Sequence, residues 1–237
     1  MSGGQFQPTR WSLIQRAASA DSQLRERAWR EFHEIYKAPL LWFIRSYGWK
    51  EDECEDHLQS FLAKLAERDW LGDAEREEVK MRSFLLTRLK RHLNDIRKHR
   101  QAEKRGGKAE IISADEDETQ QLLRSDGADP SEIVEREFDR RWAQAIVDRA
   151  VLRLQEESEK RGRGDLFKAL RSQLTDDTPD GLREAAAQIG KSEGAVRMAL
   201  QRLREKLRRN LRDEIAETLP PGADVDDEFR YLASVLG

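Results

Sequence analysis

LREAAAQIGKSEGAVRMALQRLREKLR, residues 182–208, is the stretch from which the fold can be read. Leu182, Ala185, Ala186 and Ile189 recur at helical spacing. Gly190 then supplies the residue that a left-handed helix end favours, and Ser192 can cap a following helix. In that helix Val196, Ala199, Leu200, Leu203, Leu207 and Leu211 form the apolar stripe. The small alanines of the first helix permit the close approach of a helix-turn-helix. Glu193, Gly194 and Ala195 give the second helix a slim start that fits a major groove, and Arg197, Met198, Gln201, Arg202 and Arg204 fall off its apolar stripe. Arg and Gln suit base edges, while Arg202, Lys206, Arg208, Arg209 and Arg212 suit phosphates. The plainer alternative is a helical hairpin with a solvated basic face; the glycine turn and serine cap favour DNA.

Upstream, a second basic helix is expected from Ser83, as N-cap, to about Arg100, with Leu85, Leu86, Leu89, Leu93 and Ile96 inward. Thr87, Arg88, Arg91, Asn94, Arg97 and Lys98 lie outside that stripe, a cationic face that can hold phosphates and bond to bases. Trp70, Met81 and Phe84 near its start are apolar groups able to grip an unstacked base, though for Trp70 and Phe84 singly a place in the core is the plainer reading. Bases dominate from Arg82 to Lys108, and then acids dominate from Glu110 to Glu135 with Arg124 the one base among them. Residues 106–131, low in apolar content and ending at Asp129-Pro130, read as an acidic linker.

Residues 10–71 form a first helical set, with a stripe through Leu24, Ala28, Phe32, Ile35 and Tyr36 that continues beyond Pro39. Within it Asp52 to Leu65 carries Cys54, Leu58, Phe61, Leu62 and Leu65 inward. Trp142, Ile146, Ala150 and Leu154 form one stripe of a second set, and Leu166, Phe167, Leu170 and Leu174 another. Phe229, Leu232 and Leu236 suggest a short amphipathic helix at the C-terminal end.

Composition agrees with an all-α chain of small helical units. The 237 residues are 38% hydrophobic and 38% charged, with 14 Gly, 6 Pro and no β-branched runs; ordinary domains carry about 25% charged residues. Mean hydropathy is −0.85 and the pI about 6.0. The net charge of −3 argues weakly against nucleic-acid binding, but the segregation of charge along the chain outweighs the total. Cys54 alone excludes an internal disulfide and a cysteine zinc cluster. The start of the chain lacks a signal-peptide core, and no stretch approaches the roughly 20 apolar residues of a membrane span, so a cytoplasmic protein that does not meet the membrane is expected. His33, His57, His92 and His99 lack metal-site spacing, and no phosphate-binding or nucleophile motif occurs; neither an enzyme, a metal nor a cofactor is expected.

These parts, in this order, resemble the sigma-70 superfamily of bacterial RNA polymerase sigma factors, and within it the extracytoplasmic-function branch. EDECEDHLQSFLAKL (51–65) resembles the family's signature helix, MRSFLLTRLKRHLNDIRKHR (81–100) its promoter-melting helix, and residues 182–208 its C-terminal helix-turn-helix. TRWSLI (9–14) and the closing residues 214–232 resemble one subgroup. The resemblance implies region 2 at 9–105, the linker at 106–131, region 4 at 132–213 and a C-terminal extension at 214–237. It implies that Glu55, Asp56, Gln59, Ser60 and Phe61 dock on the clamp coiled coil of the polymerase's largest subunit. Trp70 and Phe84 fall where a flipped base of the minus-ten element is captured, and Arg88, Arg91, Asn94, Asp95, Arg97 and Lys98 on the helix that reads and melts that element. Ser192, Glu193, Gly194, Ala195, Arg197, Met198, Gln201 and Arg202 fall where the minus-thirty-five element is read. Implied partners are core polymerase, including the flap of its second-largest subunit, and promoter DNA, with an anti-sigma or other regulatory protein left open. The rival reading is a stand-alone helix-turn-helix regulator, which leaves 51–65 and 81–100 unexplained.

Overall fold

The computed structural model describes residues 19, 21–66, 79–104, 130–175, 178–220 and 222–237. Among them every regular element is a helix: α1 (Ser22–Ser46), α2 (Glu51–Leu65), α3 (Met81–Lys104), α4 (Pro130–Lys160), α5 (Gly164–Leu170), a 3₁₀ turn (Arg171–Leu174), α6 (Pro179–Ile189), α7 (Glu193–Ala216) and α8 (Val225–Leu236). The TRWSLI segment, Trp70 with its loop, and the acidic stretch up to Asp129 lie outside the described residues. The last two residues of the expected linker, Pro130 and Ser131, already belong to α4.

The chain forms two compact units. One holds α1, α2, α3, α4 as far as Ala145, and the chain from Ala216 onward; the other is Ile146–Ile215. The division falls inside α4, whereas composition pointed to a boundary at 131/132. Two aromatic residues account for the difference. Trp142 stacks on Tyr36 of α1 with ring centroids 4.4 Å apart and 11° between planes, and Phe138 meets Phe43 edge-on at 5.8 Å. The stripe Trp142–Ile146–Ala150–Leu154 is buried throughout, yet its first member falls in one unit and the other three in the second.

In the first unit Asp21 starts α1 by accepting from the N–H groups of Gln23 and Leu24 at 2.9 and 3.2 Å. The helix runs through the buried Pro39 without ending. Phe32, Tyr36, Leu40 and Ile44 of α1, Leu58 and Phe61 of α2, and Leu85, Leu89 and Leu93 of α3 are all buried in this unit's core.

Helix α3 begins at Met81, two residues before the serine that looked like its cap. The N–H of Met81 donates to the carbonyl of Thr218 at 2.9 Å, so the C-terminal chain holds the start of α3. Beside it Arg82 donates to Asp139 at 2.7 Å and to Glu228 at 2.9 Å, and Lys80 reaches Glu228 at 2.5 Å. The Tyr231 hydroxyl donates to Asp139, and its ring centroid lies 4.5 Å from the Arg82 guanidinium. Glu228 is 1% exposed. Burial alone would lift its carboxyl, but hydrogen bonds from Arg82 and Lys80 outweigh burial and hold it below the usual carboxylate range. Burial and then the Asp139 carboxylate push Tyr231 up to about 12. Of the expected apolar contacts of α8, Leu232 is buried, Phe229 half-buried and Leu236 exposed. The helix is held by ions as much as by apolar surface.

The second unit is one core of Leu154, Phe167, Leu170, Leu174, Leu182, Ala185, Ala186, Val196 and Leu200. Gly162, at φ 66°, turns the chain out of α4. Arg204, expected on the DNA-facing side of α7, instead donates to the carbonyls of Gln173 and Leu174 at 2.7 and 3.2 Å. Those are carbonyls that the end of the 3₁₀ turn leaves without helical partners.

Replacing Glu228 by Gln removes the charge that Lys80 and Arg82 face while keeping the shape. Breaking a buried pair from one side should cost about 3 kcal/mol. Urea unfolding should show a lower midpoint at unchanged slope.

Candidate nucleic-acid interface

Helices α6 and α7 are joined by three residues whose geometry follows from their chemistry. Thr178 accepts from the N–H of Gly181 at 3.2 Å and starts α6. Gly190 ends it at φ 63°, ψ 37°, the left-handed conformation in which a side chain is disfavoured. The N–H of Lys191 then returns to the carbonyl of Ala186 at 3.1 Å. Ser192 Oγ accepts from the N–H of Ala195 at 3.3 Å and opens α7. The sequence reading of this turn agrees with the geometry at each position.

Burial divides α7 into two faces. Val196 and Leu200 are closed into the core, and Ala199, Leu203 and Leu207 pack against it. Ser192, Glu193, Gly194, Ala195, Arg197, Met198, Gln201 and Arg202 are all exposed. Met198 is 51% exposed, an uncovered large apolar side chain amid guanidinium and amide groups. Gln201 donates to Glu205 one turn on at 3.2 Å. This face presents donors, an acceptor and an apolar group from the first turns of one helix, the set that base edges and a thymine methyl require.

Helix α3 is more selective than its sequence suggested. Thr87, Arg91, Asn94 and Lys98, at steps of four, three and four, form one exposed stripe, with Asp95 beside it. Arg88 is 9% exposed, expected outside the leucine stripe but drawn inward with its guanidinium 5.3 Å from the Phe84 ring. Phe84 itself is 2% exposed and lies in the core. Arg97 is exposed but anchored, lying over the rings of Tyr47 at 5.2 Å and Trp49 at 5.9 Å. Arg100, 4.9 Å from the Trp49 ring, bonds to Glu53 at 2.6 Å, and that hydrogen bond holds the Glu53 carboxyl below its usual range.

Helix α2 shows the same sorting. Asp56, Gln59 and Ser60 are exposed, Glu55 is half-buried and pairs with Lys37 at 2.7 Å, and Phe61 is fully buried. Gln59 lines a shallow groove of about 480 Å³ with Trp29, His33, Leu62, Ala63 and Ala66. The sequence reading missed this groove, because Trp29 lies on another helix. The only trace was an aromatic residue beside the Ala28–Phe32 stripe.

Under Phe61 sits His92, their ring centroids 5.9 Å apart. Burial, then the nearby charges of Lys64 and His57, push its imidazole down to about 4. His57 is lowered too, chiefly by burial. Cys54 is buried, and burial lifts its thiol to about 11, so it carries no reactive thiolate at neutral pH. Among the described residues no three His, Cys, Asp or Glu side chains gather where a metal could be held, and no helix is long and apolar enough to cross a membrane.

Comparison with protein-family models, curated proteins and solved structures finds no match to this chain.

His92 is neutral when folded and takes up a proton near pH 6.5 when unfolded, so stability is full above about pH 6.5 and falls as the pH drops toward 4. The loss amounts to about 3 kcal/mol over that window. In His92→Gln the slope of unfolding free energy against pH between 6.5 and 4.5 should be much flatter, measured by denaturant titration at each pH.

Proposed function

We propose that this chain is a sigma factor of the extracytoplasmic-function type, which binds core RNA polymerase, directs it to promoters and assists their melting. The observation that carries the reading is the two-faced α7, with Val196 and Leu200 inside and Arg197, Met198, Gln201 and Arg202 outside, beyond a left-handed Gly190. In this reading α7 lies in the major groove of the minus-thirty-five element. Arg197 and Gln201 meet base edges, Met198 meets a thymine methyl, and Ser192 to Ala195 allow the close approach.

The exposed stripe of α3 then meets the minus-ten element, with Arg91 and Lys98 on phosphates and Asn94 on a base. Trp70 belongs to the base-capturing loop of this reading. Phe84 and Arg88 support it from inside by fixing α3, and Arg97 supports it through Tyr47 and Trp49. On α2, Asp56, Gln59 and Ser60 offer charge and hydrogen bonds to the clamp coiled coil, Phe61 holds the helix in place, and the apolar groove beside Gln59 suits a helical partner. The flap of the second-largest subunit and an anti-sigma or other regulatory protein complete the partners of this reading. The work is binding and not catalysis, needs no cofactor, and belongs in the cytoplasm.

In vitro transcription with core polymerase and substituted promoters tests the assignment. Arg197→Ala or Gln201→Ala should weaken upstream-element selection by roughly 1–3 kcal/mol, with the loss confined to promoters carrying the recognised base. Asp56→Ala should lower affinity for core polymerase without altering the folded helix content. Equal loss on every promoter from Arg197→Ala would contradict base reading. Operator-specific footprints by the chain alone, with no association with polymerase, would favour the stand-alone regulator instead.

A further inference from the structure

A groove of about 990 Å³ opens in the second unit, on the flank of α7. Its floor is partly apolar, from Leu166, Ile189, Ala199 and Leu203. Its walls are cationic. Arg161 and Arg163 come from the turn after α4, Lys168 from α5, Lys191 from the turn before α7, and Arg202 and Arg209 from α7. All six are exposed, and among the described residues none of them makes an ion pair with a carboxylate. Lys206, which also lines the groove, is already paired with Glu157. Asp165 and Glu205 are the acids in the lining, and Glu205 accepts from Gln201.

Six exposed cations from four elements line this one groove, and a cleft lined by one sign of charge attracts the opposite charge. The groove is far larger than one phosphate, and Arg202 and Arg209 stand two helical turns apart, about 10 Å along α7. That spacing suits an extended polyanion better than a compact ligand. The groove is continuous with the base-reading face, since Ala195 and Arg202 belong to both. A Cβ added at Gly162 or Gly194 would meet nothing within 4 Å, so the backbone there is open to close approach.

We propose that this groove carries the phosphodiester strand flanking the major groove that α7 enters, with Arg161, Arg163, Lys168 and Lys191 as phosphate contacts outside the helix-turn-helix reading face. The proposal rests on the DNA-binding reading above and adds a sequence-independent clamp to it. An acidic protein segment is the other occupant the charges would admit, and the test separates the two.

The full chain is titrated into a fluorescent 20-base-pair duplex of random sequence at 50 to 200 mM salt, with polyglutamate as a competing ligand. In Arg161→Ala/Arg163→Ala/Lys168→Ala the slope of log affinity against log salt should shrink by about 2–3, and affinity at 50 mM should fall at least roughly tenfold. Lys168→Gln alone should shrink the slope by about 1, which guards against a triple variant that melts early. A slope unchanged in both variants, or a wild-type chain without salt-dependent duplex binding, overturns the proposal. So does loss of polyglutamate binding in the variants with the DNA slope retained, which would assign the groove to an acidic protein. Promoter-dependent transcription by the wild-type chain with core polymerase is scored separately. If it persists while the groove result is negative, only the groove assignment falls; if it is absent while the salt slope responds, only the sigma-factor reading falls.

Discussion

Burial of Val196 and Leu200 against Leu154, Phe167, Leu170 and Leu182 is the constraint on which the second unit depends. A helix repeats every 3.6 residues, so once those two positions are inside, positions 194, 197, 198 and 201 must face outward. Gly190 and Ser192 act on the same outcome from the preceding turn, one by permitting the left-handed bend and the other by satisfying a free N–H of α7. Apolar packing therefore sets the orientation of the polar residues. A slip of one residue in that packing would rotate α7 by about 100° and turn Arg197 and Gln201 toward the core.

In the first unit an ionic cluster plays the comparable part. Arg82 lies between Asp139 and Glu228, and a carboxylate as buried as Glu228 is tolerable only when opposite charges and hydrogen bonds replace its water. This joins α3, the first half of α4 and α8 at one place, although they are far apart in sequence. It also gives the C-terminal chain a definite position. Neighbouring cations are used differently: Arg88, Arg97 and Arg100 lie over the rings of Phe84, Tyr47 and Trp49. The basic character of α3 is thus partly structural, and the exposed remainder is the stripe of Thr87, Arg91, Asn94 and Lys98.

The turn between α6 and α7 was legible residue by residue, because its signals are local: apolar periodicity, a glycine at the helix end, a serine at the next start. The faces of α2 and α3 were legible in outline only. Periodicity placed Leu58, Leu89 and Leu93 inside correctly, but it could not foresee that the Arg88 guanidinium would lie over the Phe84 ring or that Arg204 would turn to the carbonyls of the 3₁₀ turn. Long cationic side chains combine an apolar stem with a charged head, and which end governs depends on neighbours from other helices.

Spacing and backbone geometry within a few residues were enough for the all-helical class, the turn at Gly190, the outward face of α7 and most of each apolar stripe, although Leu24 and Leu236 are exposed. Long-range packing settled that α4 divides between two units, that residues 216–237 close on the start of α3, and that Arg161, Arg163 and Lys168 share a groove with Arg202 and Arg209. Those outcomes depend on which rings, carboxylates and guanidinium groups meet across distances of many tens of residues. Local propensity carries no information about such meetings, because the energy is set by the geometry of the partner and not by the residue's own place in the chain.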